Sequence, residues 1–168
     1  MPSYTREVDA VDKMIKEWAE RRPELDASPL EVVGRLLLCA RRLEQALVDA
    51  LKQLGLSYGD FDVINTLRRV GGHTNPRELS RSALITSGAM TARLDRLVSA
   101  GLVERAPDPS DRRGVLVSLT DEGTRLADRA LAAVLDADET FLRPLGTDDR
   151  AAAAALLKRL LMSPEACD

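Results

Sequence analysis

The chain has 168 residues, of which 45% are apolar, 30% charged and only 3% aromatic, and its net charge is −3. That is material for one domain, or one domain with helical additions, with a core built mostly of Leu, Val and Ala. The chain shows no secretory leader and no run long enough to span a membrane. Its two cysteines, Cys39 and Cys167, make no disulfide framework, so a reduced, cytoplasmic protein without membrane contact is expected.

Val8, Val11, Met14, Ile15 and Trp18 recur at helical spacing between Thr5 and Arg22, predicting an amphipathic first helix that Pro23 stops. Ser28-Pro29-Leu30-Glu31 has the order of an N-cap, a first-turn proline and a capping-box acid. The helix it opens carries a wide apolar stripe from Val32 through Leu36, Leu43, Leu47 and Leu51 to Leu54, and Gly55 ends it. A stripe that long needs more partners than a small domain offers, so part of it is read as a dimer contact. A third helix is predicted over Gly59 to Val70, with Phe61, Val63, Ile64 and Leu67 inward.

Asn75-Pro76-Arg77-Glu78 repeats the cap signature, so a helix runs from there to about Ala83. After a short break at Leu84-Ile85-Thr86, another spans Thr86 to Ala100. Strands follow at Leu102–Ala106 and Val115–Leu119. Thr120 caps a helix to near Leu142, Pro144-Leu145-Gly146 breaks it, and Thr147 caps a last helix over Asp148–Met162. Two helices with a short break, then a hairpin, outline a winged helix-turn-helix. The fold class is mainly α, with a two-stranded β-wing and flanking helices at both ends. The expected regions are 1–55, for dimerisation and ligand; 56–119, for the winged helix-turn-helix; and 120–168, for C-terminal dimerisation.

The charge distribution says more than the sum. Residues 77–113 carry +2 and residues 114–168 carry −4. In the second helix of the pair, Ala89, Leu94, Leu97 and Val98 face the core. Ser87, Met90, Thr91, Arg93 and Arg96 fall near the outer face, toward the N-terminal half where base contacts arise. Small polar residues permit close approach, and an arginine can read guanine through a bidentate pair. Arg77 and Thr86 join this set. In the wing, Pro107 and Pro109 stiffen the loop, Gly114 permits a tight turn, and Arg112 or Arg113 suits a narrow minor groove. Asp111 aims or neutralises one of those arginines. The expected partner is double-stranded DNA, bound at a pseudo-palindromic site with two recognition helices about 34 Å apart. The competing reading is a winged helix used as a protein-interaction module.

Other residues support no separate chemistry. Cys39 lies on or beside the long apolar stripe, where packing is the plainer reading and redox sensing the alternative. His73 has no metal-spaced partners, Asp148-Asp149 are helix N-terminal charges, and no Gly-rich phosphate loop, HExxH or CxxC occurs. No cofactor, metal or enzymatic activity is expected.

The run Leu102-Val103-Glu104-Arg105, then Asp111-Arg112-Arg113, then Val117-Ser118-Leu119-Thr120 and Gly123, resembles the wing region of the multiple-antibiotic-resistance regulator (MarR) family, and the likeness extends from Pro29 to Leu161. The resemblance implies a homodimeric repressor whose dimer is built by both terminal regions and whose DNA is released by small, often aromatic, anionic ligands. A finer likeness is to the urate-responsive PecS/HucR branch. That branch has an added N-terminal helix bearing Trp, matched by Trp18; an Asp in the third helix, matched by Asp62; and an Arg in the recognition helix, matched by Arg93. The stretch Arg22-Pro23-Glu24-Leu25-Asp26 with Ser28-Pro29 is similar as well.

The chemistry of those three residues is coherent. A planar anion needs a flat apolar wall, a cation and an acceptor for a ring N–H, which Trp18, Arg93 and Asp62 can provide. Urate and salicylate-like acids fit that description. Without ligand, Asp62 and Arg93 are free to pair. The alternatives are that Trp18 fastens the first helix to the dimer, that Asp62 is structural, and that the regulator has no small-molecule effector.

Overall fold

The computed structural model describes residues 8–76, 78–79, 90–111 and 114–162. The chain forms two compact units, Met1–Gln45 and Ala46–Asp168. Among the described residues no helix is long and apolar enough to cross a membrane.

The first unit contains α1 (Ala10–Arg21) and most of α2 (Leu30–Lys52). Helix α1 starts later than the apolar spacing predicts, because Asp9 is a strong cap. Its carboxylate accepts the N–H groups of Val11 and Asp12 at 2.8 and 2.9 Å, and Asp12 accepts the Asp9 N–H at 3.0 Å. Two orphan ends are thus satisfied reciprocally. Arg35 of α2 then donates to Asp9 at 2.8 Å and to Asp12 at 2.7 Å. Beside this clasp Val11 is fully buried, and a Cβ on Gly34 would come within 3.1 Å of its methyl.

The entry into α2 corrects one expectation. Asp26, not Ser28, supplies the side-chain acceptor seen there, taking the Ser28 N–H at 2.9 Å. The carbonyls of Ala27 and Ser28 then accept from Leu30 and Glu31, so the helix is entered through a backbone turn. Val32, Val33, Leu36 and Leu37 lie exposed along its first half.

The second unit opens with the end of α2. Gly55 has φ +70°, its N–H returns to Lys52, and the Leu56 N–H returns to Leu51. This is a Schellman ending, with its apolar pair Leu51 and Leu56 both buried. Helix α3 (Tyr58–Val70) is capped by Ser57 and is buried on most sides, from Gly59 through Phe61 to Leu67. It touches α4 (Met90–Ser99), α5 (Asp121–Leu142) and strand β2 (Val115–Leu119). The Asn75 side chain accepts the Glu78 N–H at 2.9 Å, as its predicted capping role requires.

Strand β1 (Val103–Pro107) pairs antiparallel with β2 in the register Val103↔Leu119 to Pro107↔Val115. At Val117 the other edge of β2 is covered too, by two backbone hydrogen bonds with Thr74. Thr120 caps α5 by accepting the Gly123 N–H, while its own hydroxyl donates to the Gly101 carbonyl at 2.7 Å. Helix α6 (Thr147–Leu161) starts one residue before the prediction: Gly146 sits at the cap position and Thr147 is already helical, so Thr147 is not the N-cap. Arg150 closes this hairpin, donating to both oxygens of Glu139 at 2.7 Å and to the carbonyls of Leu142 and Leu145 at 3.1 Å. Helix α6 buries no residue within the chain, and Leu156, Leu157, Leu160 and Leu161 stay exposed.

Two outcomes follow from this packing. A Cβ on Gly123 would strike the Leu102 backbone, its carbonyl carbon lying 2.9 Å away. Gly123→Ala is therefore expected to cost about 1–3 kcal/mol, read as a Tm fall of about 2–4 °C for each kcal/mol. The Asp9 carboxyl is held below its ordinary value of 3.8 by the Asp12 N–H first and by Arg35 among the further causes. A lowered folded value means that the cap's contribution is complete above 3.8 and is lost as pH falls below it. An NMR titration should find Asp9 below 3.8 and raised part of the way back by Arg35→Ala.

Candidate nucleic-acid interface and effector residues

Helix α4 divides by helical arithmetic. Met90, Leu94 and Leu97 lie at i, i+4 and i+7, and all three are buried. Met90 is only 3% exposed, which corrects its assignment to the DNA-facing side: its spacing to Leu94 puts it on the inner stripe. Thr91, Ala92, Asp95 and Arg96 form the exposed face. Gly101, at φ +71°, ends the helix in a second Schellman turn, with the Leu102 N–H returning to Leu97 and the Gly101 N–H to Val98.

The two arginines of α4 both meet the first turn of α3. Arg96 donates to Asp60 Oδ1 at 2.7 Å, and Asp60 Oδ2 accepts the Ser57 hydroxyl at 2.6 Å. The Arg96 side chain remains 58% exposed while that of Asp60 is 16% exposed. Arg93 lies across Gly59: a Cβ there would fall 2.6 Å from its guanidinium carbon. Asp62 follows Gly59 by about one helical turn and is 5% exposed. Sequence reasoning missed Asp60, although Ser57-Tyr58-Gly59-Asp60 carries the S-x-x-D signal of a helix start.

The wing is tied to α4 by Arg105, which donates to Asp95 at 2.7 Å. Its loop is folded by Asp108, whose Oδ1 accepts the Ser110 N–H at 2.8 Å and the Ser110 hydroxyl at 2.6 Å. That Asx turn holds the Asp108 carboxyl below its ordinary value, through the hydroxyl first and then the amide. Gly114 closes the loop by donating to the Asp111 carbonyl at 2.8 Å, and a Cβ on it would meet Asp108 Cβ at 2.8 Å. Its role is close approach. Asp111 is exposed. Arg77, Thr86, Ser87, Arg112 and Arg113, with the rest of the first helix of the pair, lie outside the described residues.

Trp18 is 46% exposed on α1 within the first unit, next to Glu17 and Arg21. Cys39 is exposed on α2 and His73 is exposed in its loop. No group of acidic, His or Cys side chains among the described residues is arranged to hold a metal ion.

Comparison with known proteins decides the family. A family model described as MarR family matches residues 54–114. The HTH-type transcriptional regulator PecS of Dickeya dadantii is 33% identical over 152 residues, covering 89% of this chain and 92% of that protein. The chain belongs to the MarR family of winged-helix transcriptional regulators. The multiple antibiotic resistance protein MarR of Escherichia coli is 34% identical over 131 residues, covering 77% of this chain and 90% of that protein. A crystal structure of a cysteine-to-serine mutant of E. coli MarR, complexed with operator DNA, superimposes with a TM-score of 0.69 at 32% identity, covering 86% of this chain and 97% of that one. The mainly helical architecture with one two-stranded antiparallel sheet is that of these MarR structures.

The wing geometry gives its own expectation. Asp108→Ala removes both side-chain bonds to Ser110, so the amides of Ser110 and Gly114 should exchange faster with deuterium. Global stability should change by no more than about 0.5 kcal/mol, because the site is exposed.

Proposed function

We propose that the chain is a cytoplasmic transcriptional repressor that binds a pseudo-palindromic duplex operator as a homodimer and is released by a small aromatic anion. The observation that carries the DNA reading is the outer face of α4, where Thr91 and Arg96 are exposed on a helix that Arg105 locks to the wing. The E. coli MarR mutant solved with operator DNA, at 32% identity, supports the same reading. Thr86, Ser87, Thr91 and Arg96 serve the major groove, Arg112 or Arg113 the minor groove, and Arg77 adds to the basic surface. Asp111 supports the wing. The net charge of −3 is no obstacle, since the arginines concentrate in residues 77–113.

Apolar surface at both chain ends supports the dimer. Val32, Val33, Leu36 and Leu37 on α2 are exposed, and so are Leu156, Leu157, Leu160 and Leu161 on α6. Side chains of this size left in water cost stability unless another surface covers them. The assignment 1–55 and 120–168 for dimerisation with 56–119 for DNA belongs to this reading. Trp18, Asp62 and Arg93 are its effector residues on chemical grounds: an indole face, a carboxylate acceptor and a guanidinium for an anion such as urate or salicylate.

The test is a titration of a duplex carrying the gene's own upstream region. Affinity should fall steeply with salt, with a log–log slope of about −0.9 for each phosphate neutralised. Arg96→Ala combined with Arg112→Ala should abolish binding while sedimentation still reports a dimer. A winged helix that serves as a protein-interaction module would keep its dimer and show no salt-dependent duplex binding in the unmutated chain. Urate or salicylate should release DNA partially, because complete switching needs a preference of about 10⁴-fold between states. No release and no heat with either acid would remove the effector from this reading and leave the DNA reading standing.

A further inference from the structure

Arg96 already has a partner within the chain. A lone exposed arginine carries rotamer entropy that must be given up when it meets a base edge or phosphate. Here Asp60 Oδ1 takes one N–H of the guanidinium at 2.7 Å. Asp60 is itself held: its other oxygen takes the Ser57 hydroxyl at 2.6 Å, and its amide donates to Ser57 at 3.1 Å. Ser57 is the cap of α3, a helix buried along most of its length. A chain of hydrogen bonds therefore runs from the core helix to the exposed face of α4. The guanidinium has five N–H groups, and the bond to Asp60 uses one of them. The side chain as a whole remains 58% exposed.

We propose that Asp60 is a positioning residue for DNA reading, holding the Arg96 guanidinium at a set reach and plane so that α4 contacts the operator with that arginine already ordered. The inference rests on the DNA-binding reading above. Asp60 makes no DNA contact in it and acts only through Arg96.

The experiment is a double-mutant cycle in the full-length protein, read by anisotropy on the upstream duplex at fixed salt, with melting curves for every variant. Asp60→Asn keeps one oxygen to accept from Arg96, turns an NH2 donor toward the Ser57 hydroxyl oxygen, and loses the charge. Asp60→Ala loses both the acceptor and the charge. The expected order of affinity is unmutated, then Asp60→Asn, then Asp60→Ala, the last about three- to tenfold weaker, as two protomers each lose one ordered contact. In an Arg96→Ala background both changes should be silent. A merely structural role would weaken binding equally in the two backgrounds, and that result overturns the proposal. So does tighter binding by Asp60→Asn, which would make Asp60 a competitor for the arginine. If the unmutated chain binds no duplex, the DNA reading falls and takes this inference with it. Binding without coupling removes this inference alone.

Discussion

Everything around α4 depends on one corner, where the carbonyls of Gly101 and Leu102 are taken up by Thr120. The Thr120 hydroxyl donates to Gly101 and its N–H to Leu102, at 2.7 and 3.1 Å. The same hydroxyl oxygen caps α5, and Gly123 lets that helix approach the Leu102 backbone. Four elements, α4, β1, β2 and α5, are thereby joined within a few residues. Such a junction has little freedom to bend, because three hydrogen bonds and the close approach of Gly123 to Leu102 converge within it. Gly101 adds a backbone conformation that side-chain-bearing residues rarely adopt. The wing and α4 are thereby tied to the start of α5.

Charge follows the same division of labour. Acidic partners offset several arginines of the second unit, among them Asp60 for Arg96, Asp95 for Arg105 and Asp128 for Arg68. Exposed pairs of this kind contribute little stability singly, typically about 0–1 kcal/mol. Their value here is geometric. Each fixes the direction of a long side chain that would otherwise sample many rotamers, and two of the three connect α4 to a neighbour. A chain with net negative charge can in this way order the arginines it keeps on its surface.

Much of the fold was legible because its signals are local. The Asn75 and Thr120 caps, the glycine stop at Gly55 and the two strands all depend on residues close in sequence. The misses are of two kinds. Competing local signals misled at α1, where the Asp9–Asp12 box overrode apolar spacing, and at α6, where Gly146 took the cap position from Thr147. Met90 lies on the inner stripe with Leu94, a placement its spacing of four residues carries and its neighbours Thr91 and Arg93 obscure. The hydrogen bonds of Asp60 and Asp108 were harder to find. Asp108 had an Asx-turn signal, but pairing Asp60 with Arg96 spans 36 residues and follows from how α3 and α4 pack. No periodicity in the sequence encodes that distance.

The aromatic content has one further consequence. The chain has a single tryptophan, and it stands half-exposed on α1 in the first unit. The second unit carries Tyr58, Phe61 and Phe141 but no indole. Light absorbed selectively by indole is therefore emitted from α1 alone. A partner surface covering Trp18 shifts that emission to the blue, and an aromatic anion stacked on it quenches the signal. The protein carries its own unlabelled reporter for the region least like a plain DNA-binding module.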